Sequence, residues 1–391
     1  MSGISLFNTL SADQFEELVF AVLGTSQHAA VTNSVVHGVA GIVGAESLTL
    51  HRIGYGMSRF YGTDPKHCTK QVDRFLSKSK IDLVEAQRAL CRYLIGEQSD
   101  IIVALDWTEF DADDHSTLAI YLLTGHGRAL PLVWQTVTKS EIAGGRTDAE
   151  IELVRRFSSF IPDSVRITML GDRGFGYCEL VQVLHELGMD FVLRIRSNIY
   201  VEKADGESKL SGDWLLPSGR ARMFKDVRLT AAGVEVESFV AVKKKGMKDP
   251  WLLISSLCEH TATQITKLYG KRFRIEETFR DQKDNRFGMG LSATHIRQTH
   301  RRDRLLLLCS LAYIFIISLG QAGEAVGLDR ILKVNTSKTR QLSLYNQGLR
   351  WIGLLTNMRA ERKQALLSAF IGILDTQNFC QLTLDHIVAE K

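Results

Sequence analysis

The chain has 391 residues, with 48 Lys plus Arg, 44 Asp plus Glu and a formal net charge of +4. That length is enough for two or three domains, and so small a positive excess excludes a uniformly basic coat for nucleic acid: any such partner must meet clustered cations. Six cysteines without a C-x-x-C pair point to neither a zinc site nor a disulfide scaffold. Reduced thiols in a cytoplasmic protein are expected, with no membrane partner and no basic-then-apolar leader at the N-terminus.

Residues 1–95 read as a helical domain that contacts DNA. Ser11 is placed to cap a first helix. Asp64-Pro65 opens another, an acidic N-cap followed by Pro at the first helical position. Behind it Lys66, Lys70, Arg74 and Lys78 recur every four residues and make a broad basic stripe. Two readings of that stripe stand side by side. One is an exposed amphipathic helix with Val72, Phe75 and Leu76 turned to the core; the other is a helix laid on DNA phosphates, within a helix-turn-helix arrangement.

Residues 96–198 alternate as an α/β unit. Strands are expected over Ile101 to Thr108, Ser116 to Leu123 and Leu130 to Val137, with Gly125-His126-Gly127 turning the second into the third. A helix over Thr147 to Ile161 carries a capping-box pattern, Thr147 with Glu150. A strand over Val165 to Leu170, a helix over Cys178 to Leu187 and a strand over Phe191 to Ile195 complete the segment. Two apolar runs end in an acid: Ile101–Leu105 runs into Asp106, and Val165–Leu170 runs through Gly171 into Asp172. Each reads as a buried strand delivering a carboxylate at its end.

Residues 199–261 break the alternation into short β-like pieces, among them Met223 to Leu229 and Val234 to Val242, and read as a β-rich insertion. Lys243-Lys244-Lys245 is a solvated turn or a DNA-backbone contact. Trp251, in Pro250-Trp251-Leu252-Leu253, fits a core aromatic at a strand start.

Residues 262–320 hold the most informative stretch. Tyr269, Arg272, Glu276 and Lys283 sit at offsets 0, 3, 7 and 14, which fall within roughly 60° on one helix face. Arg280 joins the same stripe. Lys267 to Arg304 contains eleven Lys or Arg against five acids, whereas no Lys or Arg precedes Arg52. A carboxylate framed by cations suits a metal ligand whose neighbours hold phosphates. Together Asp106, Asp172 and Glu276 supply oxygen ligands for a pair of hard divalent ions about 4 Å apart, which activate a nucleophile and stabilise a leaving oxygen in phosphoryl transfer. The apolar run Leu305 to Leu319 is short for a bilayer and reads as a buried core helix. Residues 321–391 read as helical. His115, His126, His295 and His300 lack metal spacing and read as surface or turn residues. No phosphate-binding glycine loop indicates ATP use.

This constellation resembles the DDE transposases of bacterial insertion sequences, and within them the insertion-sequence-4-type branch with its Y-(2)-R-(3)-E-(6)-K motif. Tyr269, Arg272, Glu276 and Lys283 match it at every spacing, and DWT around Asp106 and GDRGF around Asp172 are similar to the first two acidic motifs. The resemblance covers roughly residues 95–300. It implies a ribonuclease H-like core interrupted by the β-rich insertion and flanked by helical regions, the C-terminal one making contacts between protomers. It implies two Mg²⁺ ions, replaceable by Mn²⁺, at Asp106, Asp172 and Glu276. The expected partners are DNA, as the terminal inverted repeats of an element and a target, and a second protomer in the DNA complex. The resemblance also implies cut-and-paste movement through a DNA hairpin, with Trp251 stacking on a flipped base. A plain metal-dependent nuclease and an inactive DNA-binding relative of the same fold remain the alternatives.

Overall fold

A computed structural model describes residues 10–374 apart from 11, 25, 143, 231, 232 and 287, so the capping role of Ser11 and the segment 375–391 lie outside the described residues. The chain opens with five helices, α1 (Ala12–Leu23), α2 (Ala29–Ala45), α3 (Leu50–Tyr61), α4 (Pro65–Lys78) and α5 (Leu83–Ile95). The start of α4 follows from its sequence: Asp64 accepts the backbone N–H of His67 at 3.0 Å, and Pro65 occupies the first turn. Only Gly62, Thr63 and Asp64 separate α3 from α4. Val72, Phe75 and Leu76 of α4 are buried, while Lys66, Lys70, Arg74 and Lys78 are exposed.

Three strands follow, β1 (Asp100–Phe110), β2 (His115–Leu123) and β3 (Ala129–Thr138), then α6 (Arg146–Ser158), β4 (Arg166–Gly171), α7 (Cys178–Glu186) and β5 (Asp190–Arg194). The first three strands are antiparallel, whereas β1, β4 and β5 run parallel. β2 is buried along its whole length, as a strand covered on both faces should be. The expected capping box at the start of α6 is absent. Gly145, which has no side chain to cap with, stands at its N-cap, and Glu150 is drawn inward to other partners.

The stretch read as an insertion carries β6 (Tyr200–Glu202), β7 (Ser208–Leu210), β8 (Arg222–Leu229), β9 (Val234–Val242) and β10 (Trp251–Ser255). These strands continue the sheet that begins at β1. β10 pairs antiparallel with β5, through Leu253 opposite Arg194, and gives a ten-stranded order β3-β2-β1-β4-β5-β10-β9-β8-β6-β7. The open edge of β5 is thereby closed by backbone pairing.

The chain then forms α8 (Ala262–Gly270), a 3-10 turn (Lys271–Phe273), α9 (Arg274–Lys283), α10 (Thr299–Ala325), α11 (Leu344–Leu354) and α12 (Ala360–Leu374). The expected single helix over Tyr269–Lys283 is thus broken at Lys271–Phe273, which places Tyr269 on α8, Arg272 in the turn, and Glu276, Arg280 and Lys283 on α9. α10 is the apolar core helix: residues Leu305 to Leu319 are all buried, enclosed by α2, α11, α12 and β3. Its approach to α11 requires glycine. A Cβ on Gly348 would lie 1.9 Å from the carbonyl oxygen of Ile316, and one on Gly320 2.0 Å from that of Leu344.

Candidate active site

Leu105 of β1 is the last ladder partner of β4, opposite Gly171, so Asp106, within β1, and Asp172, just past the end of β4, stand side by side where the two strands part. Asp106 is largely enclosed. Its Oδ1 accepts its neighbour's backbone N–H, from Trp107, at 2.9 Å, and its Oδ2 accepts Arg272 Nη1 at 2.9 Å. Burial pushes its carboxyl up to about 6, against the pull of Arg272, and the charge of Asp172 pushes the same way. Asp172 lies in a tight loop where its Oδ1 accepts the N–H of Gly174 at 2.8 Å. A Cβ on residue 174 would come within 3.1 Å of that oxygen.

Glu276 approaches from α9, half-exposed, with Oε1 accepting Arg272 Nη2 at 3.0 Å. One guanidinium therefore bridges the first and third acids. The 3-10 turn makes this possible, since it points Arg272 inward, where only 9% of its side chain is exposed. Lys283, the last residue of the motif and of α9, runs back to β1 beyond Asp106. Its Nζ donates to Thr108 Oγ1 at 2.9 Å and to the carbonyl of Glu109 at 2.8 Å, and it lies 4.7 Å from the Phe110 ring centre. Burial lowers its pKa. Tyr269 is buried, its hydroxyl pKa raised by burial. Arg280 stays exposed and pairs with Glu277 at 2.8 Å, and with Glu276, Lys283 and Asn285 it rims an open groove.

The aromatic Trp251 begins β10 half-buried, stacked on Phe273 at 5.7 Å and edge-on to Tyr269 at 5.0 Å. The reading as a packed strand-start aromatic is compatible with this, and the ring stands beside the 3-10 turn that carries Arg272. Lys66, Lys70, Arg74 and Lys78 lie apart from this group on α4, which packs on α2, α3 and α10. Lys70, Arg74 and Lys78 line a groove between α4 and the start of α2, joined by His28, His67 and Lys80.

Two features escaped sequence reading. A cleft beside Asp172 is lined by Arg173, Arg194 and Arg196; the first follows Asp172 directly in the chain, but the other two join it only through the strand order. The second is Glu150, buried and bonded to Trp107 and Tyr177, a partnership that the capping pattern concealed. One expectation is corrected. His115 is not a surface histidine: it begins β2 fully buried, and its Nδ1 accepts Arg302 Nε at 3.0 Å.

Among the described residues no three His, Cys, Asp or Glu side chains are arranged to hold a metal ion as they stand. The donor chemistry nevertheless fits a hard cation. Asp106 and Asp172 are neighbouring carboxylates, Asp106 raised by burial and by the charge of Asp172, and half-exposed Glu276 is paired with Arg272. No curated protein matches the chain at a significant level. The family described as the transposase DDE domain matches residues 97–315, a span that takes in β1, β4, α9 and all three acids. Since that match covers more than half of the sequence, the chain belongs to the DDE transposase family.

Proposed function

We propose that this transposase is of the insertion-sequence-4 type and cuts the ends of a DNA element and joins them to a target, in a cut-and-paste reaction that passes through a hairpin. The observation that carries the reading is the ladder pair Leu105–Gly171, which sets Asp106 and Asp172 side by side, with Glu276 brought towards them by the same guanidinium that bonds Asp106. The strand order β3-β2-β1-β4-β5, with the first two pairings antiparallel and the rest parallel, supports a ribonuclease H-like core.

In this reading Asp106, Asp172 and Glu276 hold two Mg²⁺ or Mn²⁺ ions, which when bound lower the pKa of the attacking water or 3′-hydroxyl and stabilise the leaving oxygen. Arg272 balances the charge of Asp106 and Glu276 as they stand, and its planar guanidinium would suit a phosphate oxygen with a bidentate fork. Lys283 fixes α9 against β1, and Tyr269 lies beside Arg272 to donate to a phosphate. Arg173, Arg194 and Arg196 extend positive charge on the far side of Asp172, and the α4 face supplies the further phosphate contacts that bind element ends. Holding two ends together requires at least a dimer in the DNA complex.

The bridging position of Arg272 also favours a second reading, an inactive relative in which a guanidinium has taken over from metal. A single assay separates the two. Purified protein, element-end DNA, a target plasmid and Mg²⁺ are combined and scored for joined product. Joined product supports transposition, cleavage without joining a nuclease, and binding without cleavage the inactive relative.

A further inference from the structure

Glu150 is a buried carboxylate with both oxygens engaged. It is 5% exposed; Oε1 accepts Trp107 Nε1 at 2.6 Å and Oε2 accepts the Tyr177 hydroxyl at 2.7 Å. The two donors belong to two different elements, β1 and the loop that follows β4. Trp107 follows Asp106, and its backbone N–H is the one bonded to Asp106 Oδ1. Tyr177 closes the loop that carries Asp172 and stands at the N-cap of α7. That loop has little slack: a Cβ on Gly176 would fall 2.4 Å from the carbonyl oxygen of Arg194.

Beyond Leu105–Gly171 the β1–β4 ladder ends, so backbone pairing no longer fixes the spacing where the two acids stand. A short, charge-assisted bond from α6 to β1 and another to the loop after β4 take over there. Arg146, also on α6, lies over the Trp107 ring at 4.7 Å, while Glu150 accepts from the edge of the indole. Burial raises the carboxyl of Glu150, and the charge of Asp172 adds to this, so a polar side chain buried here depends on both of its hydrogen bonds being made. We infer that Glu150 is a positioning residue for the reaction, tying β1 next to Asp106 to the Asp172 loop and so fixing Asp106 and Asp172 relative to one another. The inference rests on the reading of those two as the reacting acids.

The test compares Glu150→Ala, Glu150→Gln and Tyr177→Phe in the full chain. Glutamine keeps both links, with its oxygen towards the indole and its amide towards the phenol oxygen. Three quantities are measured: cleavage rate and KM on end DNA, Mn²⁺ affinity without DNA, and hydrogen exchange over residues 106–109 and 172–177. Loss of a supporting hydrogen bond behind metal ligands typically lowers affinity or rate about 10- to 100-fold, so Glu150→Ala and Tyr177→Phe are expected to fall in that range for rate and Mn²⁺ affinity, with unchanged KM and faster exchange in both segments, while Glu150→Gln stays within about threefold of wild type. Glutamine as damaging as alanine would overturn the inference, because the charge itself would then be acting. Wild-type exchange in both segments of Glu150→Ala and Tyr177→Phe would overturn it as well. Should Glu150→Ala fail to fold, Tyr177→Phe, which deletes one hydroxyl, carries the comparison. If the wild type neither cuts DNA nor binds Mn²⁺, the transposase reading fails, and the exchange data still decide whether the tie exists.

Discussion

Arg272 bonds Asp106 through one terminal nitrogen and Glu276 through the other, at 2.9 and 3.0 Å. A guanidinium held by two carboxylates is a strong local arrangement, and removing either Arg272 or Asp106, the two enclosed members, leaves the other charge poorly compensated. The guanidinium balances the two acids as they stand, and whether metal replaces it, as the proposed reaction requires, is open to experiment.

Asp106→Asn, Asp172→Asn and Glu276→Gln should each lower DNA cleavage by at least about 10³-fold, since removal of a metal-holding oxygen withdraws several kcal/mol of transition-state stabilisation at about 1.4 kcal/mol per decade. End-DNA affinity in a band-shift assay should stay within a few-fold of wild type, the phosphates being held by other residues. A triple variant that still cuts would show that the chemistry resides elsewhere.

Much of this site was readable from sequence because strand ends and motif spacing are local properties. The apolar runs before Asp106 and Asp172 gave both strands to within two residues, and Val234–Val242 to the residue. The Tyr269–Lys283 spacing placed Arg272 and Glu276 on one face, and they are bonded. The departures came from contacts distant in the chain. Glu150 satisfies a local capping pattern, yet Trp107, 43 residues away, takes its oxygen. His115 looked like a turn residue, and only Arg302, 187 residues on, explains its burial. The 3-10 turn at Lys271–Phe273 was equally unreadable, because an inward Arg272 depends on Asp106 waiting on another element.

The basic face of α4 should report its role in salt dependence. Each phosphate neutralised adds about 0.9 to the slope of log affinity against log salt on duplex DNA, so a Lys66, Lys70, Arg74 and Lys78 quadruple alanine variant should lower that slope by up to about 3.6. Because these side chains are exposed on a helix whose core face is intact, thermal stability should barely change. A preserved slope would make the stripe an ordinary solvated face.

Asp303 provides a pH test away from the site. Its carboxyl on α10 accepts the backbone N–H of Thr136 at 3.0 Å, and burial raises its pKa from 3.8 to about 7. Folded protein therefore keeps a proton that the unfolded chain has already released. The resulting stability is complete below about pH 4 and is lost as pH rises to about 7, amounting to at most about 4 kcal/mol at about 1.4 kcal/mol per pKa unit. Asp303→Asn keeps the acceptor and removes the titration. It should raise the urea midpoint at pH 8 and leave it unchanged at pH 4; an equal change at both would refute the assignment.

Trp251 offers the sharpest test of the proposed hairpin. Its ring is stacked on Phe273, which is itself 39% exposed, and meets the edge of Tyr269 next to the Arg272 turn. The aromatic group thus reaches solvent beside the acids, where a base turned out of the duplex finds a π-face to stack on. Such stacking is worth about 1–3 kcal/mol per base, or about 5- to 150-fold in a step that depends on it. Trp251→Ala should nick the first strand at the wild-type rate and lose hairpin product by a factor in that range, while Trp251→Phe keeps most of it. The variants are to be compared only after their melting temperatures show a folded protein, since the ring also packs the start of β10. Normal hairpin yield from folded Trp251→Ala would leave the ring a packing residue, and a wild type that forms no hairpin at all would remove the step itself.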